Sequence, residues 1–223
     1  MTGLTINNAH VRWSVPTEQV ATELASRPLM ILLHGYGSFE GDLIGLADHL
    51  PKQFVLASLR APLIAPPPVV DGYSWFPIDP AGPDPKRGAE AAAALIDWID
   101  RLEASVPTGL PRIALMGFSQ GGAMVTQAFR AQPERFVAGV NCSGFVFRGE
   151  QQGDAVLAQR KPPIFWGRDE GDPVITQDKI ELTNAWLPSH STLTAKLYPG
   201  IQHSISAEEL NDISAFLNVN LPA

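Results

Sequence analysis

Residues 112–125 read RIALMGFSQGGAMV, a short apolar run up to Gly117 followed at once by small residues crowded around Ser119. The run has the character of a buried strand, and the segment from Gln120 to about Ala131 has helical spacing. At their junction, Gly117-Phe118-Ser119-Gln120-Gly121 matches G-x-S-x-G in the strand-to-helix setting that this motif requires. A serine at the apex of so sharp a turn takes backbone angles that few residues tolerate. Side chains at the two glycine positions would strike the adjoining strand or helix. The turn lifts the Ser119 hydroxyl clear of the sheet and aims the first helical N–H groups, that of Gln120 among them, at an atom bound beside it. A phosphate loop of the G-x-x-x-x-G-K-[ST] kind is excluded because no lysine is present, and G-x-G-x-x-G fails because position 119 is serine. A purely structural glycine turn is the remaining alternative.

Working outward from this turn, short apolar strands alternate with helical patterns, which predicts an α/β chain with a mostly parallel central sheet and helices on both faces. VRWSV (11–15) alternates as an edge or antiparallel strand does, and PLMILLHG (28–35) is a continuous apolar run, hence a central strand. Residues 42–50 have helical spacing, and QFVLASL (53–59) is the next strand. Prolines through residues 60–85 forbid regular helix or central strand, yet Tyr73, Trp75 and Phe76 lie there. Such a loop either packs on itself or walls a pocket. The alanine-rich segment from Lys86 to about Val106 is a helix. Strands follow at 135–145 and 162–168, separated by a short linker, then a helix after Asp172-Pro173, a strand at 193–200 and a closing helix from Ser206 to Asn218. Ser206-Ala-Glu-Glu209 has the capping-box form, with Ser206 as N-cap and Glu209 reaching back. One domain, residues 1–223, is the simplest division.

Composition narrows the function classes. The chain has 223 residues, 45% apolar and 17% charged, with a net charge of -7. That balance argues against nucleic acid or an anionic membrane surface as partner. No apolar stretch approaches the roughly 20 residues of a membrane span, and the N-terminus lacks the form of a secretory signal. Cys142 is alone, so no internal disulfide forms, and it falls in a buried strand as a small core residue. These features point to a soluble, cytoplasmic protein. The five histidines are scattered without a metal-binding pair.

A serine hydroxyl becomes a nucleophile only when a base takes its proton, and that base needs an orienting acid. For this turn the chain order is Ser, then Asp or Glu, then His, each partner just after a later strand. Two histidines follow Ser119. His190 lies in a polar connection before a strand, whereas His203 follows the strand LTAKLYPG and is the expected base. After PPIFWGR the segment DEGDP offers Asp169, Glu170 and Asp172. It lacks the ligand ladder of a calcium loop. Asp172, placed before Pro173 at a helix start, is preferred, with Asp169 as the fallback. The second oxyanion donor belongs after the earlier strand, where His34-Gly35-Tyr36-Gly37 stands. The Tyr36 N–H is the candidate beside that of Gln120, with His34 shaping the loop.

With LLHGYGS, LRAP, GYSWF, GFSQGGAM, GDPV and YPG before His203 in place, the sequence resembles the phospholipase/carboxylesterase family of α/β-hydrolases, which includes acyl-protein thioesterases. The resemblance covers nearly the whole chain after the first strand. It implies Ser119 as nucleophile, Asp172 and His203 as partners, Tyr36 and Gln120 as oxyanion donors, and Trp75 lining the acyl or alcohol pocket, with no metal or cofactor. HGYGSFEGDL departs from the HGLGD pattern of thioesterases for lipidated proteins, which favours small esters over long-chain protein deacylation. The linker between the strands at Cys142 and Phe165 is too short for a cap domain, leaving a shallow groove beneath the 60–83 loop. The same site serves thioesters and lysolipids, and a silent fold used for binding is a further alternative. Exposed apolar residues of the proline-rich loop suit either substrate or a homodimer contact.

Overall fold

A computed structural model describes residues 3–79 and 82–221. Among these residues nine strands and six α-helices follow in order: β1 (Arg12–Trp13), α1 (Val20–Leu24), β2 (Leu29–Leu33), β3 (Val55–Leu59), β4 (Leu63–Ile64), β5 (Tyr73–Ser74), α2 (Pro85–Ser105), β6 (Ile113–Phe118), α3 (Gln120–Ala131), β7 (Ala138–Cys142), α4 (Asp154–Arg160), β8 (Pro163–Arg168), α5 (Gln177–His190), β9 (Thr192–Leu197) and α6 (Ala207–Asn220). The main sheet has the order β1-β3-β2-β6-β7-β8-β9. Only β1 runs antiparallel, at the edge, as its alternation predicts.

The central strands β2, β3 and β7 are buried at every position because both faces of the sheet are covered. From β2, Leu29, Ile31 and Leu33 enter a core shared with Leu95, Trp98, Ile99, Val125 and Phe129 of α2 and α3. Met30 and Leu32 enter a second core with Leu210, Ile213, Phe216 and Leu217 of α6. The alanines of α2 allow close approach to α3. That helix opens on Asp84, whose side chain accepts the Lys86 N–H, and carries Pro85 in its first turn, where the missing donor costs nothing.

Five local expectations need correction. The helix expected directly after Asp172-Pro173 begins only at Gln177, with Thr176 as its N-cap residue. Residues 43–49 form a 3-10 helix, with Gly45 weakening an α-helix and Pro51 forcing the chain extended at Leu50. The proline-rich segment contains a small antiparallel ribbon, β4 with β5. The linker after β7 holds the helix α4, since a parallel crossover to β8 must span the sheet. At α6 the Ser206 hydroxyl accepts the Glu209 N–H at 3.0 Å, but neither carboxyl oxygen of Glu209 completes the reciprocal hydrogen bond.

Parallel register brings the loops after β2, β6, β7, β8 and β9 to one edge. Leu33 lies opposite Gly117, and Phe118 opposite Cys142. In open parallel sheets ligands bind outside the carboxyl ends of strands. Every expected site residue except Trp75 lies in one of these loops or at the start of the helix that follows it.

Candidate active site

The turn between β6 and α3 places Ser119 at φ 55°, ψ −114°, outside ordinary helix and strand regions. Its N–H is fixed to the Cys142 carbonyl at 2.8 Å. A Cβ at Gly117 would strike the Gly121 carbonyl, and one at Gly121 the Leu33 carbonyl. Both glycines are thus dictated by contacts between backbones.

His203 comes from the loop between β9 and α6. Its Nε2 lies 2.8 Å from Ser119 Oγ, and its Nδ1 2.7 Å from Asp172 Oδ2. The Asp172 side chain is 1% exposed. Its other oxygen accepts the N–H groups of Val174 and Ile175 at 2.7 and 3.1 Å, so the start of the following segment holds it in place. A carboxylate beside Nδ1 selects the Nδ1–H tautomer, leaving the Nε2 lone pair toward the serine hydroxyl.

Asp169, the fallback acid, occupies a different position. Its oxygens accept the N–H groups of Gly171 at 2.9 Å and Gln202 at 2.6 Å, tying the β8 loop to the residue before His203. These backbone donors hold its carboxyl below the usual carboxylate range. The structure thus brings Ser119, His203 and Asp172 together and leaves Asp169 as a latch behind them.

His34 is fully buried, and Ala61 N–H donates to its Nε2 at 3.1 Å while Nδ1 lies 2.7 Å from the Gly35 carbonyl. An accepting Nε2 requires the proton on Nδ1, so the ring is a spacer between two loops. Burial pushes its pKa down, keeping it neutral. Tyr36 and Gln120 line the same groove as Ser119. Among the described residues neither backbone N–H has an acceptor, so both are available to a bound oxyanion.

Trp75 requires correction. It is fully buried and does not line the groove, and its indole N–H donates to the His34 carbonyl at 2.9 Å. Phe76, the next residue, faces the groove instead. The side chain of Gln120 locks this arrangement, accepting the Trp75 N–H and donating to the Phe76 carbonyl, each at 2.7 Å. The sequence also concealed Glu40–Arg60, a two-pronged pair at 2.6 and 2.7 Å with the guanidinium 4.4 Å from the Tyr73 ring centre. Burial raises the Glu40 pKa, but pairing with Arg60 outweighs it and holds the group ionised. LRAP and GYSWF carried that signal as an unexplained Arg and Tyr.

The groove is open and holds about 400 Å³. Its floor is Ser119, Gln120 and His203, and its walls include Phe76, Ile78, Phe118, Phe145, Val174 and Ile175. Among the described residues, no cluster of three or more His, Cys, Asp or Glu is placed to hold a metal ion, and no helix is long and apolar enough to cross a membrane. Cys142 is buried, and burial, then the nearby Glu209, pushes its thiol pKa well up, consistent with a core role.

Comparison with known proteins places this geometry in context. The profile of a family described as phospholipase/carboxylesterase matches residues 17–221. The chain is 25% identical to a probable carboxylesterase of Oryza sativa subsp. japonica, across 94% of this chain and 84% of that protein. It is 25% identical to acyl-protein thioesterase 1 of Kluyveromyces lactis, across 86% of this chain and 92% of that one. The crystal structure of esterase PE8 superposes with a TM-score of 0.74 at 26% identity, covering 99% of this chain and 100% of that chain.

Proposed function

Because the chain belongs to the phospholipase/carboxylesterase family of ester and thioester hydrolases, we propose that it is a serine carboxylesterase acting on small or short- to medium-chain esters. It works as a single α/β-hydrolase domain, in the cytoplasm, without metal or cofactor. The observation that carries this reading is the unbroken Asp172–His203–Ser119 hydrogen-bond chain opening into an apolar groove.

In the first half-reaction Ser119 Oγ attacks the ester carbonyl as its proton passes to His203 Nε2. Asp172 faces the imidazolium that forms. The carbonyl electron pair becomes an oxyanion held by the N–H groups of Tyr36 and Gln120. Collapse breaks the bond to the alcohol, which leaves with the proton from Nε2, and an acyl group remains on Ser119. Water repeats the sequence and releases the acid. The three triad groups already lie within hydrogen-bond reach of one another, so their proton transfers need little rearrangement.

Purified Ser119→Ala is expected to lose hydrolysis of a short p-nitrophenyl ester by about 10⁴- to 10⁶-fold in kcat and to resist labelling by a fluorophosphonate. Wild-type-like turnover in that variant refutes the assignment. Similarity to acyl-protein thioesterase 1 supports a second reading, a thioesterase or lysophospholipase with the same triad. Ester and thioester substrates compared across acyl lengths separate the two, since a small-ester enzyme falls off as the chain outgrows the groove.

A further inference from the structure

The groove beside Ser119 is apolar along most of its walls, but Lys179 also lines it. This residue belongs to the first turn of α5 and is half-buried, and its ammonium stands 5.6 Å from the centre of the Phe145 ring. Beyond Phe145 lies a second recess of about 290 Å³, bounded by the same Gly82, Pro83, Phe145 and Lys179. Lys179 therefore marks the point where the two recesses meet.

No carboxylate among the described residues forms a direct ion pair with this cation, although Asp178 attracts it at longer range. Asp178, its chain neighbour, is taken by Arg148 at 2.5 Å. Asp79, the other acidic group on the groove, is exposed at its rim. Among the described residues Lys179 forms no ion pair. A lysine stem against an apolar wall is ordinary when the ammonium extends away into water. Here it lies over a ring that both recesses share, where water is partly displaced and an arriving anion interacts more strongly than in bulk.

Building on the esterase reading above, we propose that Lys179 is a specificity-determining residue that binds an anionic terminus of the substrate, so that the preferred esters carry a short apolar stem ending in a carboxylate or a similar oxyanion. The stem lies along Phe76, Phe145 and Ile175, and the anion replaces the water around the ammonium. The anion can belong to the acyl part, as in a dicarboxylic acid half-ester, or to the alcohol part, as in the ester of an ω-hydroxy acid. Both place the same chemistry against Lys179.

The test measures kcat/KM for monoethyl esters of C4 to C8 dicarboxylic acids against the matching diethyl esters, and for butyrates of ω-hydroxy acids against their methyl-capped forms. Wild-type protein is expected to favour the anionic member of one series by about 10- to 100-fold, chiefly through KM, with an optimum at one length. The favoured series identifies the side that carries the anion. In Lys179→Met that ratio falls to about one, in Lys179→Glu below one, and in Lys179→Arg it is largely kept. A wild-type preference for the neutral member at every length in both series overturns the proposal, as does an unchanged ratio in Lys179→Met. Both results leave the esterase reading intact. Turnover that survives Ser119→Ala, or no turnover of any ester, instead removes the esterase reading and this proposal with it.

Discussion

Asp172 and Glu209 sit near the end of the same strand, Asp172 in the loop leaving β8 and Glu209 packed over Gly167 from α6. Water is almost fully excluded from both side chains. Asp172 is surrounded by donors: two backbone N–H groups on one oxygen and His203 on the other. Neither oxygen of Glu209 has a hydrogen-bond partner, although the Cys142 thiol and the Ser206 N–H lie close enough to favour its charge slightly. Burial dominates and pushes the Glu209 pKa up to about 7. One side of the strand end thus carries a carboxyl whose two oxygens both have hydrogen-bond donors, and the other a carboxyl that burial keeps protonated up to about pH 7. Two carboxyls with equally little access to water differ in whether donors meet their oxygens.

The comparison breaks most visibly at Asp172. In Asp172→Asn the oxygen stays with Val174 and Ile175, so the amide NH₂ faces His203 Nδ1. A donor there forces the imidazole into the Nε2–H tautomer, which can no longer accept the Ser119 proton. The expected loss is about 10⁴-fold in kcat with little change in fold, read by ester turnover alongside circular dichroism. A loss below tenfold shows that Asp172 does not set the tautomer.

Glu209 gives the opposite signature, in stability instead of rate. Its folded pKa of about 7 lies above the ordinary 4.5, so the folded state holds a proton that the unfolded chain releases. Its stabilisation is complete below pH 4.5 and is lost as pH rises to about 7, by about 3 kcal/mol at 1.36 kcal/mol per unit. His34, whose pKa is lowered, slopes the other way below 6.5, so wild-type stability alone blends the two. The difference in unfolding free energy between wild type and Glu209→Gln isolates the carboxyl. From pH 4.5 to 8 it should shift by about 3 kcal/mol in favour of the variant, and a pH-independent difference refutes a neutral Glu209.

The latch at Asp169 sharpens the contrast, because it is a third carboxyl near the same strand end and touches none of the reacting atoms. Asp169→Asn puts an NH₂ against either the Gly171 or the Gln202 N–H, two donors facing each other, and loosens the residue before His203. A fall of about 10-fold in kcat with KM nearly unchanged is expected for a small misplacement of the base. A rise in KM with kcat intact places the residue on the substrate side instead.

These contrasts also mark what the sequence could reveal. The Ser119 turn was legible because its cause is local: two glycines whose missing side chains make room for neighbouring backbone. His203 and the DEGDP loop were legible through chain order and strand ends. Asp172 was preferred over Asp169 for a helix start after Pro173, yet α5 begins only at Gln177. The fold separates the two carboxyls by their partners instead, His203 Nδ1 for Asp172 and the Gln202 N–H for Asp169. Trp75 and Gln120 were half-read, because the side-chain bonds that bury the tryptophan span some 45 residues and leave no periodic trace. Lys179 was invisible for a similar reason. A lysine in the first turn of a helix looks solvated until Phe145, from another loop, is laid beneath it.

The smallest expected effect separates the two halves of the motif at α6. Ser206 caps the helix through its hydroxyl, which accepts the Glu209 backbone N–H, while the Glu209 carboxyl lies against Gly167 and the Cys142 thiol. Ser206→Ala therefore costs about 1 kcal/mol of unfolding free energy, measured by urea denaturation. The cost should be the same at pH 5 and pH 8, because no titrating atom is removed. Were Glu209 the reciprocal partner, loss of the cap would free its carboxyl toward water and flatten the pH dependence that Glu209→Gln removes. Parallel pH curves for wild type and Ser206→Ala, offset by about 1 kcal/mol, place the carboxyl's energetics in the core beside Cys142 and Gly167; converging curves place them at the cap.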